Sequence, residues 1–352
     1  MKSLQLAEFG KPLKWAHLDT PVPKGREVLL KVDACGVCHS DLHIWEGYYE
    51  LGDDERMYIA ERGVNLPLTL GHEVVGTVEK TGDDVKGVEK GDLRLVYPWV
   101  GCGDCKYCKN DRMHMCLSPD SLGVFRNGGY SDYILVPDEK YLVDIDGLKP
   151  ENACSYACAG LTAYSALKKT MPLEAGETLV IIGAGGLGLM AMQVVHELTA
   201  AKVVVIDVDD SKLKSAKELG EYVTVNSKKE DAVSRVMELT DQKGASAIVD
   251  FVNNGQTSAA AFSMLQKNGV MVMVGLFGGK LTFSNPVATL KNLTIRGSYT
   301  GGLDELRELI DIVRGKKLKS IPVETYGLEA ADKLLDKVKK GEITGRAVIK
   351  PA

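Results

Sequence analysis

Metal-binding residue types are concentrated in one part of this sequence. Of its eight cysteines, four share one loop, with the spacing Cys-x2-Cys-x2-Cys-x7-Cys: Cys102, Cys105, Cys108 and Cys116. Four thiolates this close together can close a tetrahedron around a zinc ion without a histidine, so the loop predicts a structural metal site. The alternatives are an iron–sulfur cluster, disulfides or free thiols. The ferredoxin pattern, however, has only three residues before its last cysteine and a proline after it, whereas here the last gap is seven residues and Leu117 follows.

A second group of such residues is divided between two segments, CHSDLH from Cys38 and GHE with His72 and Glu73. One thiolate and one imidazole are too few for a closed zinc site. A catalytic zinc, by contrast, keeps three protein ligands and leaves one position open, so a third ligand is expected from elsewhere. The remaining cysteines are Cys35, Cys154 and Cys158. Taken singly, each histidine is more simply interpreted as a core or surface residue. The prediction of a catalytic zinc site therefore depends on the combination of cysteine and histidine in these segments.

A glycine-rich turn predicts a dinucleotide site. It follows the apolar run TLVII, opens the helical run LGLMAMQVVHEL, and consists of Gly183, Ala184, Gly185, Gly186, Leu187 and Gly188. In this setting Gly183 permits a tight turn, Gly185 lets the backbone approach a pyrophosphate, and Gly188 allows the helix to pack closely on the strand. Asp207 ends the next strand, where a carboxylate accepts hydrogen bonds from ribose hydroxyls and repels a 2′-phosphate. The sequence therefore favours NAD over NADP.

The elements that must position these residues change in character near Ser155. Before it, short β-rich runs are bounded by glycine and proline turns, which predicts an irregular all-β domain. After it, short apolar strands alternate with helical patterns such as SKLKSAKELG and EDAVSRVMELT, which predicts a parallel, doubly wound sheet. The closing run RAVIK is expected to rejoin the first domain.

Composition narrows the class of protein. With 45% apolar and 26% charged residues, the chain is not disordered, and a net charge of −5 without a basic block argues against nucleic-acid binding. No apolar run approaches the ~20 residues that span a bilayer. The N-terminus also lacks the apolar centre of a signal peptide. We therefore expect a cytoplasmic protein with no membrane partner.

Together the motifs resemble the zinc-containing alcohol dehydrogenases of the medium-chain dehydrogenase/reductase family. The likeness covers essentially the whole chain, from GVCHSDLH through GHEVVGTV, the four-cysteine loop, CAGLTAY and GAGGLGLMA to GRAVIKP. It implies an α/β protein with a GroES-like, mostly-β catalytic domain made of residues 1–156 and 301–352. A Rossmann domain with a doubly wound parallel sheet, residues 157–300, is inserted between them.

The resemblance also implies a ligand set for the catalytic zinc: Cys38, His72 and Cys158. It makes Glu73 the nearby carboxylate that can approach the metal when its coordination changes. Cys158 is preferred to Cys154 because the family's third cysteine stands just before a stretch that AGLTAY matches here. With the four-cysteine loop, this gives two zinc ions per chain.

Further roles follow from the same resemblance. Asp41 would orient the imidazole ligand, and Ser40 with His43 would relay the substrate proton to solvent. Lys212 is expected near the adenosine ribose, and Arg346 at the pyrophosphate.

The activity that the resemblance implies is reversible hydride transfer between NAD and a primary or secondary alcohol, giving an aldehyde or ketone. The chain looks most like members that accept medium-chain alcohols, ω-hydroxy acids or cyclic alcohols. The expected lining of the alcohol pocket is Trp45, Tyr48, Tyr49, Trp99, Leu122 and Leu276.

Two alternatives remain. A polyol dehydrogenase of this family usually has a carboxylate where Cys158 stands, and a non-catalytic NAD(H)-binding structural protein would not need the relay residues. The segment before GHE resembles the longer loop of bacterial and archaeal members, so a homotetramer is favoured over a dimer.

Overall fold

A computed structural model describes residues 1–316 and 318–351. The strands are β1 (Lys2–Leu6), β2 (Lys14–His17), β3 (Val28–Gly36), β4 (Tyr48–Gly52), β5 (Glu55–Tyr58), β6 (Leu68–Thr69), β7 (Glu73–Thr81), β8 (Leu93–Val96), β9 (Tyr133–Val136), β10 (Leu142–Asp144), β11 (Thr178–Ile182), β12 (Lys202–Asp207), β13 (Val223–Asn226), β14 (Ala245–Asp250), β15 (Leu265–Met273), β16 (Thr294–Gly297), β17 (Val323–Tyr326) and β18 (Arg346–Ile349). The α-helices are α1 (His39–Glu46), α2 (Pro150–Ala153), α3 (Ala159–Lys168), α4 (Gly186–Leu198), α5 (Asp210–Leu219), α6 (Ala232–Leu239), α7 (Gly255–Met264), α8 (Asn285–Leu290), α9 (Leu303–Gly315) and α10 (Ala331–Lys340).

The middle of the chain forms a parallel sheet in the strand order β13-β12-β11-β14-β15-β16. Strands β11 and β14 are buried along their whole length, which explains why their sequences are mostly apolar without alternation. The strand order reverses between β11 and β14, and in such sheets a crevice for a ligand opens at that point, beyond the carboxyl ends of the strands. The predicted doubly wound sheet is confirmed.

A mixed sheet holds strands from both ends of the chain. Its order is β10-β8-β7-β3-β18-β17, and β9 also pairs with β3. Strand β18 lies antiparallel to β3, with Val348 opposite Gly36 and Ile349 opposite Cys35. The C-terminal tail therefore rejoins the sheet built by the N-terminal strands, as its apolar sequence predicted. Among the residues described, no helix combines the length and the apolar character needed to cross a membrane.

Candidate active site

Three chain segments bring four predicted metal-site residues together. Cys38 lies between β3 and α1, His72 and Glu73 lie at the start of β7, and Cys158 immediately precedes α3. The ligand atoms of these side chains lie within 4.8 Å of one another, and all four residues are buried. Burying several ionisable groups at one point is unfavourable unless an opposite charge compensates them. The cluster therefore has the composition of a cation site.

The geometry of the cluster fits zinc. A zinc–sulfur bond of about 2.3 Å puts two sulfurs on one tetrahedral ion about 3.8 Å apart, and the Sγ atoms of Cys38 and Cys158 are 3.9 Å apart. The Nε2 atom of His72 is buried and has no hydrogen-bond partner among the described residues. Its other ring nitrogen, Nδ1, lies 3.0 Å from the Asp41 carboxylate. A zinc-binding imidazole needs this combination of one free nitrogen and one fixed nitrogen.

Asp41 holds the two halves of the cluster in place. It is fully buried, and one carboxylate oxygen accepts a hydrogen bond from the backbone N–H of Cys38 at 2.9 Å. The other oxygen accepts one from the backbone N–H of Gly71 at 3.1 Å and contacts His72. The carboxylate thus fixes the loop after β3, the loop before β7 and the orientation of the imidazole.

We expect Asp41→Asn to weaken zinc binding by about 10- to 100-fold, the usual effect of losing a group that orients a metal ligand. The amide keeps one oxygen acceptor where the carboxylate has two, and it removes the charge that makes the imidazole more basic. Competition with a chelator measures the affinity. Asp33→Asn is the control, because Asp33 on β3 accepts a hydrogen bond from Thr77 outside the cluster. Equal affinities in the two variants would contradict this role of Asp41.

Glu73 forms a buried ion pair with Arg346. Burial raises the pKa of the Glu73 carboxyl to about 7, and the positive charge of Arg346 opposes that rise. The guanidinium also donates a hydrogen bond to Ser155 at 3.1 Å. On its other side it reaches the glycine turn, since a Cβ added to Gly186 would lie 3.0 Å from Nη1. Arg346 therefore links the metal cluster to the dinucleotide turn, and its contact with a pyrophosphate stays a prediction.

The predicted relay residues lie on the short helix α1. Ser40 lines a cavity together with Trp99, whose ring centroid lies 5.6 Å from that of His72 in the metal cluster. The His43 ring is buried with its centroid 4.9 Å from that of Tyr49. Burial lowers the pKa of His43 to about 4, so its imidazole is neutral at pH 7 and has one nitrogen free to accept a proton. No role was predicted for His39, although its position between Cys38 and Ser40 could have indicated that it lies at the site. The centroid of its ring lies 4.6 Å from that of Phe277.

The cavity has a volume of about 280 Å³, and Tyr49, Trp99 and Leu276 line it as predicted. Three other predicted lining residues lie elsewhere. The Trp45 indole donates a hydrogen bond to the Lys11 carbonyl, Tyr48 stacks under Arg56, and Leu122 is buried in the core. Further residues that line the cavity were not predicted from the sequence, among them Ile44, Ile59, Arg62, Val64, His114 and Tyr299.

The four-cysteine loop gathers its sulfurs around one point. Cys105 Sγ lies 3.6 Å from Cys108 Sγ and 3.9 Å from Cys116 Sγ, close to the spacing of about 3.8 Å expected on one zinc ion. A disulfide would need about 2.05 Å, and all four cysteines are free. The backbone N–H of Cys102 points at Cys116 Sγ, and such donors stabilise thiolates. The geometry favours a single tetrahedral ion over disulfides, and over an iron cluster, in which the thiolates bind separate irons.

The predicted dinucleotide turn lies between β11 and α4, at the crevice where the sheet order reverses. Gly183 has a φ of 97°, and a Cβ on Gly188 would come within 1.8 Å of the Gly183 carbonyl oxygen, so neither position tolerates a side chain. A Cβ on Gly185 would meet nothing within 4 Å, which leaves its backbone open to a ligand. Asp207 lies beneath the turn and accepts a hydrogen bond from the Ala184 N–H at 2.7 Å.

The remaining predicted cofactor residues lie on the helices α4 and α5. Leu187 lies in the first turn of α4, where free backbone N–H groups favour an anion. Lys212 lies on α5, and its ammonium comes within 3.8 Å of a Cβ position on Gly341. Its contact with an adenosine ribose stays a prediction.

We expect Asp207→Gly to shift cofactor preference from NAD towards NADP. Losing one or two hydrogen bonds to the ribose would weaken NAD binding about tenfold, while removal of the negative charge admits the 2′-phosphate. Because a loosened turn weakens both cofactors equally, the measured quantity is the ratio of the two Kd values. Asp231→Asn serves as the control, because Asp231 is a carboxylate of the same domain that caps α6. An unchanged ratio in Asp207→Gly would mean that another residue selects the cofactor.

Comparison with known proteins agrees with the motifs and the fold. The family "Alcohol dehydrogenase GroES-like domain" matches residues 24–147, and "Zinc-binding dehydrogenase" matches residues 186–315. The NAD-dependent alcohol dehydrogenase of Sulfurisphaera tokodaii is 38% identical over 352 residues, which cover 100% of both chains. The D-arabinose 1-dehydrogenase (NADP(+)) of Saccharolobus solfataricus is 31% identical, covering 99% of this chain and 97% of its own.

Among solved structures, the alcohol dehydrogenase of the hyperthermophilic archaeon Aeropyrum pernix has a TM-score of 0.91 at 32% identity, with 100% of both chains covered. The chain therefore belongs to the zinc-containing alcohol dehydrogenases of the medium-chain dehydrogenase/reductase family. The predicted family and the GroES-like and Rossmann architecture are confirmed. The roles of the individual site residues stay predictions.

Proposed function

We propose that this protein is an NAD-dependent, zinc-dependent alcohol dehydrogenase that interconverts an alcohol with its aldehyde or ketone. The observation that carries the proposal is the Nε2 atom of His72, which is buried and has no hydrogen-bond partner in the part of the chain that the structure describes. The ligand atoms of His72, Cys38 and Cys158 lie within 4.8 Å of one another. The His72 ring is 5.6 Å from that of Trp99, which lines the same cavity as Ser40. Family membership, and the name of the Sulfurisphaera tokodaii relative, support the same activity.

Two zinc ions per chain are part of the proposal. Cys38, His72 and Cys158 would hold the catalytic ion with Glu73 nearby, and the four-cysteine loop would hold the structural ion. When bound, the catalytic zinc polarises the substrate oxygen as a Lewis acid, and NAD accepts the hydride.

The chain's own residues would bind and orient the reactants. The Ser40 Oγ would accept the hydroxyl proton of the alcohol while it releases its own proton. The neutral His43 ring, one turn further along α1, would receive that released proton and pass it to solvent. Trp99 and Tyr49 exclude water from the reacting end of the cavity. Asp41 keeps the imidazole ligand in one orientation throughout.

The cofactor would bind across the crevice of the parallel sheet. Its pyrophosphate would lie on the glycine turn between Gly183 and Gly188, with Arg346 as its cationic contact. Asp207 and Lys212 would hold the adenosine ribose. The division into residues 1–156 with 301–352 and residues 157–300 belongs to this proposal, since the crevice would then lie between the two domains.

The test is NADH formation, followed by absorbance, over a panel of alcohols. We expect turnover by the natural chain and a fall in kcat/KM of about 100-fold or more in Ser40→Ala, because a positioned proton acceptor contributes about that factor. Ser40→Thr keeps the hydroxyl and is the matched control. NAD binding with no turnover of any alcohol would favour the non-catalytic alternative and overturn the proposal.

Sugar or polyol oxidation is the second candidate, because one full-length relative carries the name D-arabinose 1-dehydrogenase (NADP(+)). The lining of the cavity argues against sugar or polyol oxidation. Its lining is mostly aromatic and aliphatic. The few polar side chains there could pair with only some of the hydroxyls of a polyol, and the other hydroxyls would lose their hydrogen bonds to water. Medium-chain, ω-hydroxy acid and cyclic alcohols all suit such walls. A homotetramer and a cytoplasmic location stay predictions, and light scattering of the purified protein would test the first.

A further inference from the structure

Arg62 gives the substrate cavity a positive charge at one wall. The lining residues within residues 1–316 and 318–351 include this one arginine, no lysine, no aspartate and no glutamate. Apart from Cys116, which is a proposed ligand of the structural zinc, the other polar side chains there are neutral donors and acceptors, such as Ser40 and Ser121. The walls between are apolar, with Ile44, Val64 and other aliphatic and aromatic side chains.

Local hydrogen bonds hold the backbone around Arg62. Arg62 is the last residue of a short 3-10 helix, Ala60–Arg62, that follows β5. Its N–H donates to the Ile59 carbonyl at 3.0 Å, and Gly63 closes the turn with a φ of 88°. The guanidinium carbon lies 5.8 Å from the centroid of the Tyr49 ring, on the cavity wall. Burial raises the pKa of the Tyr49 phenol, and the positive charge of Arg62 opposes that rise.

Arg62 differs from Arg56 and Arg126 in forming no ion pair with any residue that the structure describes. Arg56 pairs with Glu50 at 2.9 Å, and Arg126 pairs with Asp120. No carboxylate in the described parts of the chain forms an ion pair with Arg62. Arg62 is exposed to solvent. Its guanidinium therefore stays hydrated in the free protein, and the lack of an ion-pair partner costs little free energy. A carboxylate that entered the cavity could bind it through two parallel hydrogen bonds.

We infer that the cavity selects alcohols that carry a carboxylate at the end remote from the hydroxyl, and that Arg62 is the residue that binds this carboxylate. This inference rests on the proposed function, and it names the substrate class of the same site. The hydroxyl end would lie at Ser40 and the carboxylate at Arg62, with a methylene chain packed between them on the apolar walls. Arginine is suited to this task because its planar guanidinium matches the geometry of a carboxylate and stays charged at every working pH.

The test compares ω-hydroxycarboxylates of increasing chain length with their methyl esters, which have the same length and no charge. We expect the natural chain to prefer the acid, mainly through KM. The ratio of kcat/KM for acid over ester should fall about 10- to 100-fold in Arg62→Gln, the range expected for hydrogen bonds to a charged group. Arg126→Gln, which removes an arginine already paired with Asp120, should leave the ratio unchanged. High salt should reduce the preference of the natural chain.

A charge reversal and a binding measurement complete the test. Arg62→Glu should prefer ω-amino alcohols to ω-hydroxycarboxylates. Calorimetry with the NADH-loaded protein, which cannot oxidise an alcohol, should show the same loss of acid over ester binding in Arg62→Gln. Equal acid-to-ester ratios in the natural chain and Arg62→Gln, with neutral alcohols still oxidised, would overturn the inference and leave the proposed function standing. No oxidation of any alcohol by the natural chain would overturn both.

Discussion

Cys38→Ala is expected to abolish alcohol oxidation, with a fall in kcat/KM of at least about 1000-fold, and to remove one zinc ion per chain. The size follows from the several kcal/mol of charge stabilisation that a Lewis-acid metal supplies, at tenfold in rate for each 1.36 kcal/mol. With one thiolate gone, His72 and Cys158 alone are too few ligands to hold a catalytic ion. Elemental analysis and NADH formation measure the two effects.

Cys154→Ala is the matched control for this experiment. Cys154 is equally buried and lies about one helical turn before Cys158. Its Sγ, however, approaches the Glu151 carbonyl at 3.7 Å and does not belong to the metal cluster. It should keep both metal ions and its activity. A Cys38→Ala protein that retained two zinc ions, or turned over at the natural rate, would show that the cluster is not the catalytic metal site.

Cys116→Ala is expected to lose the other zinc ion and, with it, unfolding free energy on the order of 5 kcal/mol. Structural zinc contributes folding free energy directly, about 10–16 kcal/mol in small zinc-binding peptides, and here part of the loop stays packed against the core. Two residues of this loop, Cys108 and Met113, are buried. Denaturant unfolding gives the stability, and elemental analysis gives the metal content.

The catalytic ligands should survive in Cys116→Ala. The loop lies close to the substrate cavity, since His114, Met115 and Cys116 contribute to its wall. A moderate increase in KM is therefore expected beside the loss of stability. The Cys154→Ala protein again serves as the control for removal of a single thiol. Unchanged metal content in Cys116→Ala would remove the assignment of a structural zinc site.

Much of the fold could be predicted from the sequence because the periodic patterns are strong. The runs TLVII and SAIVD have apolar centres, LVII and AIV, and they form the buried central strands β11 and β14. The return of RAVIK to the first domain was also predictable, because a mostly apolar run at the end of the chain needs a sheet to bury it. In the structure, the four residues of β18 are buried in the mixed sheet. The glycine turn carried its own setting of strand, turn and helix.

The substrate cavity was harder to predict because it depends on helix phase. Ser40 and Ile44 are four residues apart on α1 and therefore share one face, which is the face towards the cavity. Trp45 lies about 100° further round the helix and points away, to the Lys11 carbonyl. Residue type alone suggested Trp45, whereas the phase of the helix selects Ile44.

Arg62 was missed for a different reason. The wall that contains it is assembled from separate loops, including residues 59–64 and 113–125 and the single positions Leu276 and Tyr299. No local pattern links these segments, because they meet only when the chain is folded.

The third ligand of the catalytic zinc was difficult to predict for a similar reason. Spacing left Cys154 and Cys158 open, and the family resemblance was needed to choose Cys158, whose Sγ the structure places 3.9 Å from that of Cys38.

The most direct test of the proposed chemistry is to measure zinc and activity together while a chelator removes the metal stepwise. Fully active protein should contain two zinc ions per chain. NADH formation should fall in proportion as one of them is lost, and added zinc should restore it. Protein that oxidises alcohols at its full rate with no zinc bound would contradict a catalytic site at Cys38, His72 and Cys158.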